Sequence, residues 1–144
     1  GDFLMKPKLY LLLLTTLIIL LAACGGSETA APVAELEPSA LELGPEVDVH
    51  TVASIKDRDD VYLIDVREQW EYDEAHIPGV TLLPLGEVPT RIDEIPTDKT
   101  VIVTCRSGNR SGQATDYLRQ QGFDNVHNML GGIVAWQEAG YEVQ

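Results

Sequence analysis

From Val47 onward, short unbroken apolar runs alternate with segments whose apolar positions recur every three or four residues. The first kind predicts buried strands and the second amphipathic helices. "VDVH", from Val47, predicts a short first strand, with a helical turn around Val52 to Lys56. "VYLIDV", Val61 to Val66, predicts a second strand, and "EQWEYDEAH" a short helix that ends at Pro78 and Gly79. "VTLLPL" is strand-like, and Gly86 to Ile95 predicts a helix with weak ends. "TVIVTC", Thr100 to Cys105, is β-branched and uninterrupted, as a parallel strand covered on both faces requires. Ser111 to Gln121 carries Ala114, Tyr117 and Leu118 on one helical stripe and closes at Gly122. "NVHNM" and "GGIVAWQEAG" supply a last strand and a last helix. This alternation predicts an α/β domain over residues 47–144: a three-layer domain with a largely parallel central sheet and helices on both faces.

The N-terminal pattern is different in kind. "MKPK" from Met5 is followed by the apolar "LYLLLLTTLIIL" and by "LAAC", the order of a secretory signal. The apolar run from Leu9 to Ala23 has 15 residues, short of the roughly 20 that span a bilayer. Residues 1–23 are therefore read as a signal peptide, with Gly1 to Leu4 as an upstream extension. Leu21, Ala22, Ala23 and Cys24 match the lipobox of bacterial lipoproteins. That resemblance implies cleavage before Cys24 and a diacylglycerol on its sulfur, an anchor of more than one acyl chain. The expected location is extracytoplasmic, lipid-anchored to a bacterial membrane. Residues 24–46 follow as a flexible acidic tether. From Gly25 to Glu46 there are five glutamates, three prolines, no aromatic residue and no Lys or Arg. Such a segment buries too little apolar surface to offset its ordering entropy.

Charge and cysteine count narrow the function. The formal charge of the 144-residue chain is −13, which excludes nucleic acid as a partner, since phosphate neutralisation needs clustered Lys and Arg. The three histidines, His50, His76 and His127, lie far apart and show no metal-ligand spacing. Trp70 and Trp136 read as packing residues. Of the two cysteines, Cys24 is assigned to lipid, so Cys105 is left without an intramolecular partner. An unpaired thiol in an oxidising compartment is a liability unless it is used.

Cys105 also stands where chemistry is expected. In parallel α/β sheets, ligands sit at the carboxyl ends of strands, where loops enter helix N-termini. Between Cys105 and the helix, the loop Arg106, Ser107, Gly108, Asn109, Arg110 and Ser111 can turn successive N–H groups inward, making a nest for an anion. A thiolate is an anion, so this arrangement lowers its pKa without a histidine base. Gly108 permits a positive φ and Asn109 tolerates one. Arg106 and Arg110 add positive charge for an anionic substrate.

"CRSGNRS" resembles the active-site loop of rhodanese-type sulfurtransferases. "YLIDVREQWEYDEAHIPGVTLLPL" resembles the family's Asp-Val-Arg and His-Ile-Pro-Gly segments, and "NMLGGIVAWQEAGYEV" its Gly-Gly…Trp signature. The resemblance spans about Val47 to Val143. It implies a single-domain rhodanese of thiosulfate:cyanide type that needs no cofactor. Cys105 would take sulfur from a small anionic donor such as thiosulfate, hold it as a persulfide, and pass it to a thiol or cyanide acceptor. It further implies that Asp65, with Arg67 near it, supports the loop through an Asp65–Arg110 contact. Cys105 to Arg110 spans six residues, one fewer than in the phosphatases of this fold, which favours sulfur transfer over phosphate ester hydrolysis. The runner-up is a sulfur carrier or binding module that serves a protein acceptor.

Overall fold

The computed structural model describes residues 41–144, and the expected signal peptide and Cys24 lie outside them. Five strands form one sheet: β1 (Glu46–Val47), β2 (Val61–Asp65), β3 (Thr81–Leu82), β4 (Thr100–Thr104) and β5 (Val126–Met129). Their order is β1-β5-β4-β2-β3, and every neighbouring pair runs parallel. Three α-helices connect strands, α1 (Val49–Ile55), α2 (Gln69–Glu74) and α3 (Asn109–Gln120), and a fourth, α4 (Gly132–Glu138), follows β5. The α/β architecture expected from the pattern is thus present.

The pleat of the sheet divides the core in two. Leu63 and Ile102 point to the face covered by α1 and α4, where Val52, Met129, Ile133 and Trp136 pack. Ile64, Val101 and Val103 point the other way, against Ala114 and Leu118 of α3. Side chains in a strand alternate between faces, so one strand serves both cores. The central strand β4 is accordingly apolar without interruption, Val101 to Val103 being fully buried. The same alternation carries Cys105 to the α3 face.

Local chemistry moved several expected boundaries. "VDVH" does not form a strand beyond Val47, because Asp48 caps α1, accepting the N–H groups of His50 at 2.9 Å and Thr51 at 3.0 Å. The expected helix from Gly86 to Ile95 is two 3-10 turns, Leu85–Glu87 and Ile92–Glu94. Pro89 has no N–H for the Leu85 carbonyl, so a helix cannot propagate through it. The ordered domain also begins earlier than Val47. Leu41 and Leu43, assigned to the tether, pack against the core, Pro45 accepts the Asn128 N–H at 3.0 Å, and Glu46 belongs to β1.

Candidate active site

Strands β2 and β4 lie side by side at the middle of the sheet, Asp65 opposite Thr104, so their outgoing turns meet at one edge. Cys105 follows Thr104 and is 1% exposed. The chain then turns sharply, and α3 starts at Asn109 behind Gly108, whose φ is +95°. A Cβ at Gly108 would stand 3.2 Å from the Gly131 nitrogen, so glycine is needed there for both conformation and space. Asn109 is not in the left-handed region: every positive φ in the described chain belongs to a glycine. It is an exposed first residue of the helix instead.

Around the sulfur the donors converge. The Gly108 N–H donates to Cys105 Sγ at 3.1 Å, and Ser111 Oγ lies 3.3 Å from it. Burial pushes the thiol pKa up, yet the net shift is downward from the usual 9.0. The Ser111 hydroxyl and the amides of Ser111, Ser107 and Gly108 together outweigh the lost hydration. Ser111 is itself fully buried and donates to Asn128 Oδ1 on β5 at 2.7 Å.

The far side of the loop is gripped by α4. The Ile133 N–H donates to the Cys105 carbonyl at 2.9 Å, and the Val134 N–H to the Arg106 carbonyl at 3.1 Å. Glycine makes this approach possible: a Cβ on Gly132 would fall 2.3 Å from the Cys105 carbonyl oxygen. Gly132 is therefore a steric requirement of the loop, whereas Gly131 is required by α4 itself, where a Cβ would fall 2.4 Å from Ala135 Cβ.

The arginines are arranged differently from the expectation. Asp65 does not meet Arg110. Its carboxylate binds Arg67, which donates to it through Nε at 2.9 Å and Nη2 at 2.7 Å. Arg67 also donates to the carbonyls of Glu71 at 3.1 Å and Ala75 at 2.8 Å, closing the C-terminal end of α2. Both Asp65 oxygens are thus occupied by the backbone N–H and guanidinium of one neighbour two positions away. Arg110 instead makes a two-pronged pair with Glu71 at 2.6 and 2.7 Å. This pair holds the Glu71 carboxyl at about 2, below its usual 4.5, with help from the Glu68 N–H. Arg110 thus ties the loop to α2, and its charge is compensated. Arg106 is exposed and has no carboxylate within ion-pair distance among the described residues. Arg106 is therefore the uncompensated cation of the site, and Glu74, which lines the same cleft outside any ion pair, is its uncompensated carboxylate.

Beside the loop lies a cleft of about 300 Å³, lined by Arg67, Trp70, Glu71, Arg106, Val134 and Gln137 among others. Trp70 is 67% exposed and stands at its rim. Of the expected residues, Cys105, Ser107, Gly108 and Ser111 come together at the sulfur, and Arg106 reaches the cleft. Sequence reasoning missed Glu71 and Asn128. Glu71 had only the signal of a helix-start acid three residues after Glu68, which speaks to capping. Asn128 had a better one, since a polar residue inside a buried strand needs a partner.

Comparison with known proteins agrees with this geometry. The model of the rhodanese-like domain matches residues 48–139. A sulfurtransferase of Allochromatium vinosum is 41% identical over 99 residues, covering 68% of this chain and 92% of that one. The thiosulfate sulfurtransferase GlpE of Pseudoalteromonas translucida is 32% identical over 93 residues, covering 65% and 89%. The crystal structure of a rhodanese-related protein from Thermoplasma volcanium superposes with a TM-score of 0.64 at 30% identity, covering 70% of this chain and 98% of that one.

Proposed function

Because this chain belongs to the rhodanese-like family of sulfurtransferases, we propose that Cys105 is its sulfur carrier and thiosulfate a donor. The Cys105 thiolate attacks the outer sulfur of thiosulfate. The new Sγ–S bond forms as the S–S bond of the donor breaks, and sulfite leaves with that electron pair. A nucleophilic acceptor, cyanide or a thiolate, then attacks the outer sulfur, and the Sγ–S bond breaks to return the Cys105 thiolate. No electron is gained or lost by the protein over the cycle.

The observation that carries this reading is the ring of donors around a buried thiol whose pKa is lowered against the effect of burial. The same donors stabilise the thiolate as nucleophile in the first step and as leaving group in the second. Arg106, exposed and without a carboxylate partner, is suited to meet an anionic donor at the cleft. A protein thiol as acceptor is the second reading, favoured by the exposed indole of Trp70 beside the same cleft.

We further propose that the protein is exported and held to a membrane by lipid on Cys24. The "LAAC" pattern and the acidic segment after it support this. Cys24→Ser should release the protein from the membrane fraction. Retention of the variant there would count against the anchor.

The carrier role is tested by intact mass after incubation with thiosulfate, beside a Cys105→Ser control. Gain of one sulfur atom on the native chain only, reversed by cyanide, is the expected result. A native chain that gains nothing while its thiol is demonstrably free makes thiosulfate the wrong donor. A Cys105→Ser chain that still gains sulfur removes Cys105 from the role.

A further inference from the structure

Ser111 holds one hydroxyl proton between two acceptors. Its oxygen lies 2.7 Å from Asn128 Oδ1 and 3.3 Å from Cys105 Sγ. A hydroxyl donates once, so the two contacts cannot both be donations. The shorter one has the usual O–H···O length, which places the proton on the Asn128 side. The Ser111 lone pairs then face the sulfur and can accept from a protonated thiol. A thiolate requires the reverse, because it can only accept. The Gly108 and Ser107 amides are fixed in the backbone, whereas this hydroxyl can rotate about a single bond.

We propose that Asn128 is a positioning residue for sulfur transfer. It holds the Ser111 proton away from Cys105 while Sγ is protonated or bonded to a second sulfur, and releases it when Sγ becomes a thiolate. This rests on Cys105 being the nucleophile. The surroundings fit the task. Asn128 is 5% exposed and its backbone is held from both sides, in register with Val103 on β4 and Glu46 on β1. Only its side chain is free to respond. That amide lies toward Gly112 of α3, where a Cβ would already stand in van der Waals contact with Nδ2 at 3.5 Å, so the glycine leaves room on this side for a turn of the amide. Once the Ser111 proton moves to sulfur, such a turn presents Nδ2–H to the Ser111 oxygen and leaves no buried donor idle. No proton is lost or gained in the exchange; one hydroxyl changes acceptor.

The charged groups near Cys105 do not duplicate this device. Arg106 is in the loop and Arg110 on α3; Glu71 on α2 pairs with Arg110, and Asp65 with Arg67 at the end of β2. β5 and α4 bring no charge to the sulfur: Asn128, Met129, Ile133 and Val134 are uncharged. None of the ion pairs contains Ser111 or Asn128.

The test is the pH profile of Cys105 alkylation by iodoacetamide in the full chain. It is read by mass spectrometry on the peptide that contains Cys105, so that Cys24 does not contribute. Ser111→Ala removes a donor and should move the midpoint up. Asn128→Leu removes the competing acceptor and should raise the rate at a pH below the midpoint by a factor of about 3 to 10, the weight of one hydrogen bond. In the Ser111→Ala background the same substitution should have no effect. A merely structural role for Asn128 would shift both backgrounds alike, and that result overturns the proposal, as does an unchanged midpoint in Asn128→Leu. Should Asn128→Leu lose cooperative unfolding, the near-isosteric Asn128→Asp takes its place. Its carboxylate is a stronger, charged acceptor and should move the midpoint up; a downward or absent shift is contrary. Sulfur transfer is not read here, so failure of the functional reading and failure of this inference are separable.

Discussion

Two adjacent strands end in register, and their outgoing turns are built on opposite plans. At the end of β2, side chains fill the turn: the Asp65 carboxylate accepts the Arg67 backbone N–H at 3.0 Å and its guanidinium as well, all of it buried. At the end of β4, the backbone does the work. α4 takes the carbonyls of Cys105 and Arg106, which leaves the loop amides aimed at a sulfur. A turn whose donors are consumed by a fixed carboxylate is a brace. One whose donors converge on a titratable sulfur can hold a charge that comes and goes, which is what a nucleophile and leaving group need. The Arg110–Glu71 pair joins the two plans, tying the β4 loop to the helix that follows β2.

The largest expected effect breaks the brace. Asp65→Asn leaves the buried Arg67 guanidinium without its counter-charge and should cost about 3 to 5 kcal/mol of stability in denaturant unfolding. If the brace and the sulfur site are separate devices, the midpoint of Cys105 alkylation in the folded variant stays where it was. A midpoint that follows the loss of stability would mean that the two turns form one unit.

Next is the grip of α4 on the loop. Gly132→Ala forces a Cβ to within 2.3 Å of the Cys105 carbonyl oxygen at a φ of +57°. Strain of this kind should cost about 2 to 3 kcal/mol. Here the alkylation midpoint and sulfur transfer should both suffer, in contrast to Asp65→Asn. Native reactivity in a destabilised Gly132→Ala chain would show that the amide ring does not depend on α4.

The smallest effect concerns the link between the turns. The Glu71 carboxyl is held at about 2 in the folded state against a usual 4.5. Its pairing therefore stabilises fully above about pH 4.5 and is lost as the pH falls toward 2. The total is no more than about 3 kcal/mol and less after screening at the half-exposed Arg110. Glu71→Gln should flatten stability against pH in that window and leave the profile above pH 5 parallel to the native one. An unchanged acid slope would remove Glu71 as its source.

Much of the fold was legible because its signals are local. An unbroken β-branched run can only be a covered strand, so β4 was plain, and with it the place of Cys105 at a strand end. Gly108 was readable because its position after a strand and before a helix demands a left-handed turn. The segment between Gly86 and Ile95 was misread because apolar spacing suggested a helix while Pro89 withheld the hydrogen bond that a helix needs. The Asp65–Arg110 contact was misplaced for another reason. It was carried over from the family resemblance, which does not say which arginine the carboxylate keeps, and the nearer one, Arg67, lay two residues away.

By itself the sequence determined the strand-end cysteine proposed as nucleophile, the glycine turn that presents it, the parallel sheet that carries it and the family to which the chain belongs. Each follows from residue identity within a few positions, where chain connectivity already enforces proximity. Only the tertiary structure decided which partners those residues keep. Arg110 and Glu71 are 39 positions apart and Ser111 and Asn128 are 17 apart, and the parallel order β5-β4-β2 is what brings each pair together. Over such separations several polar partners satisfy the same chemistry, and strand order and helix packing select among them.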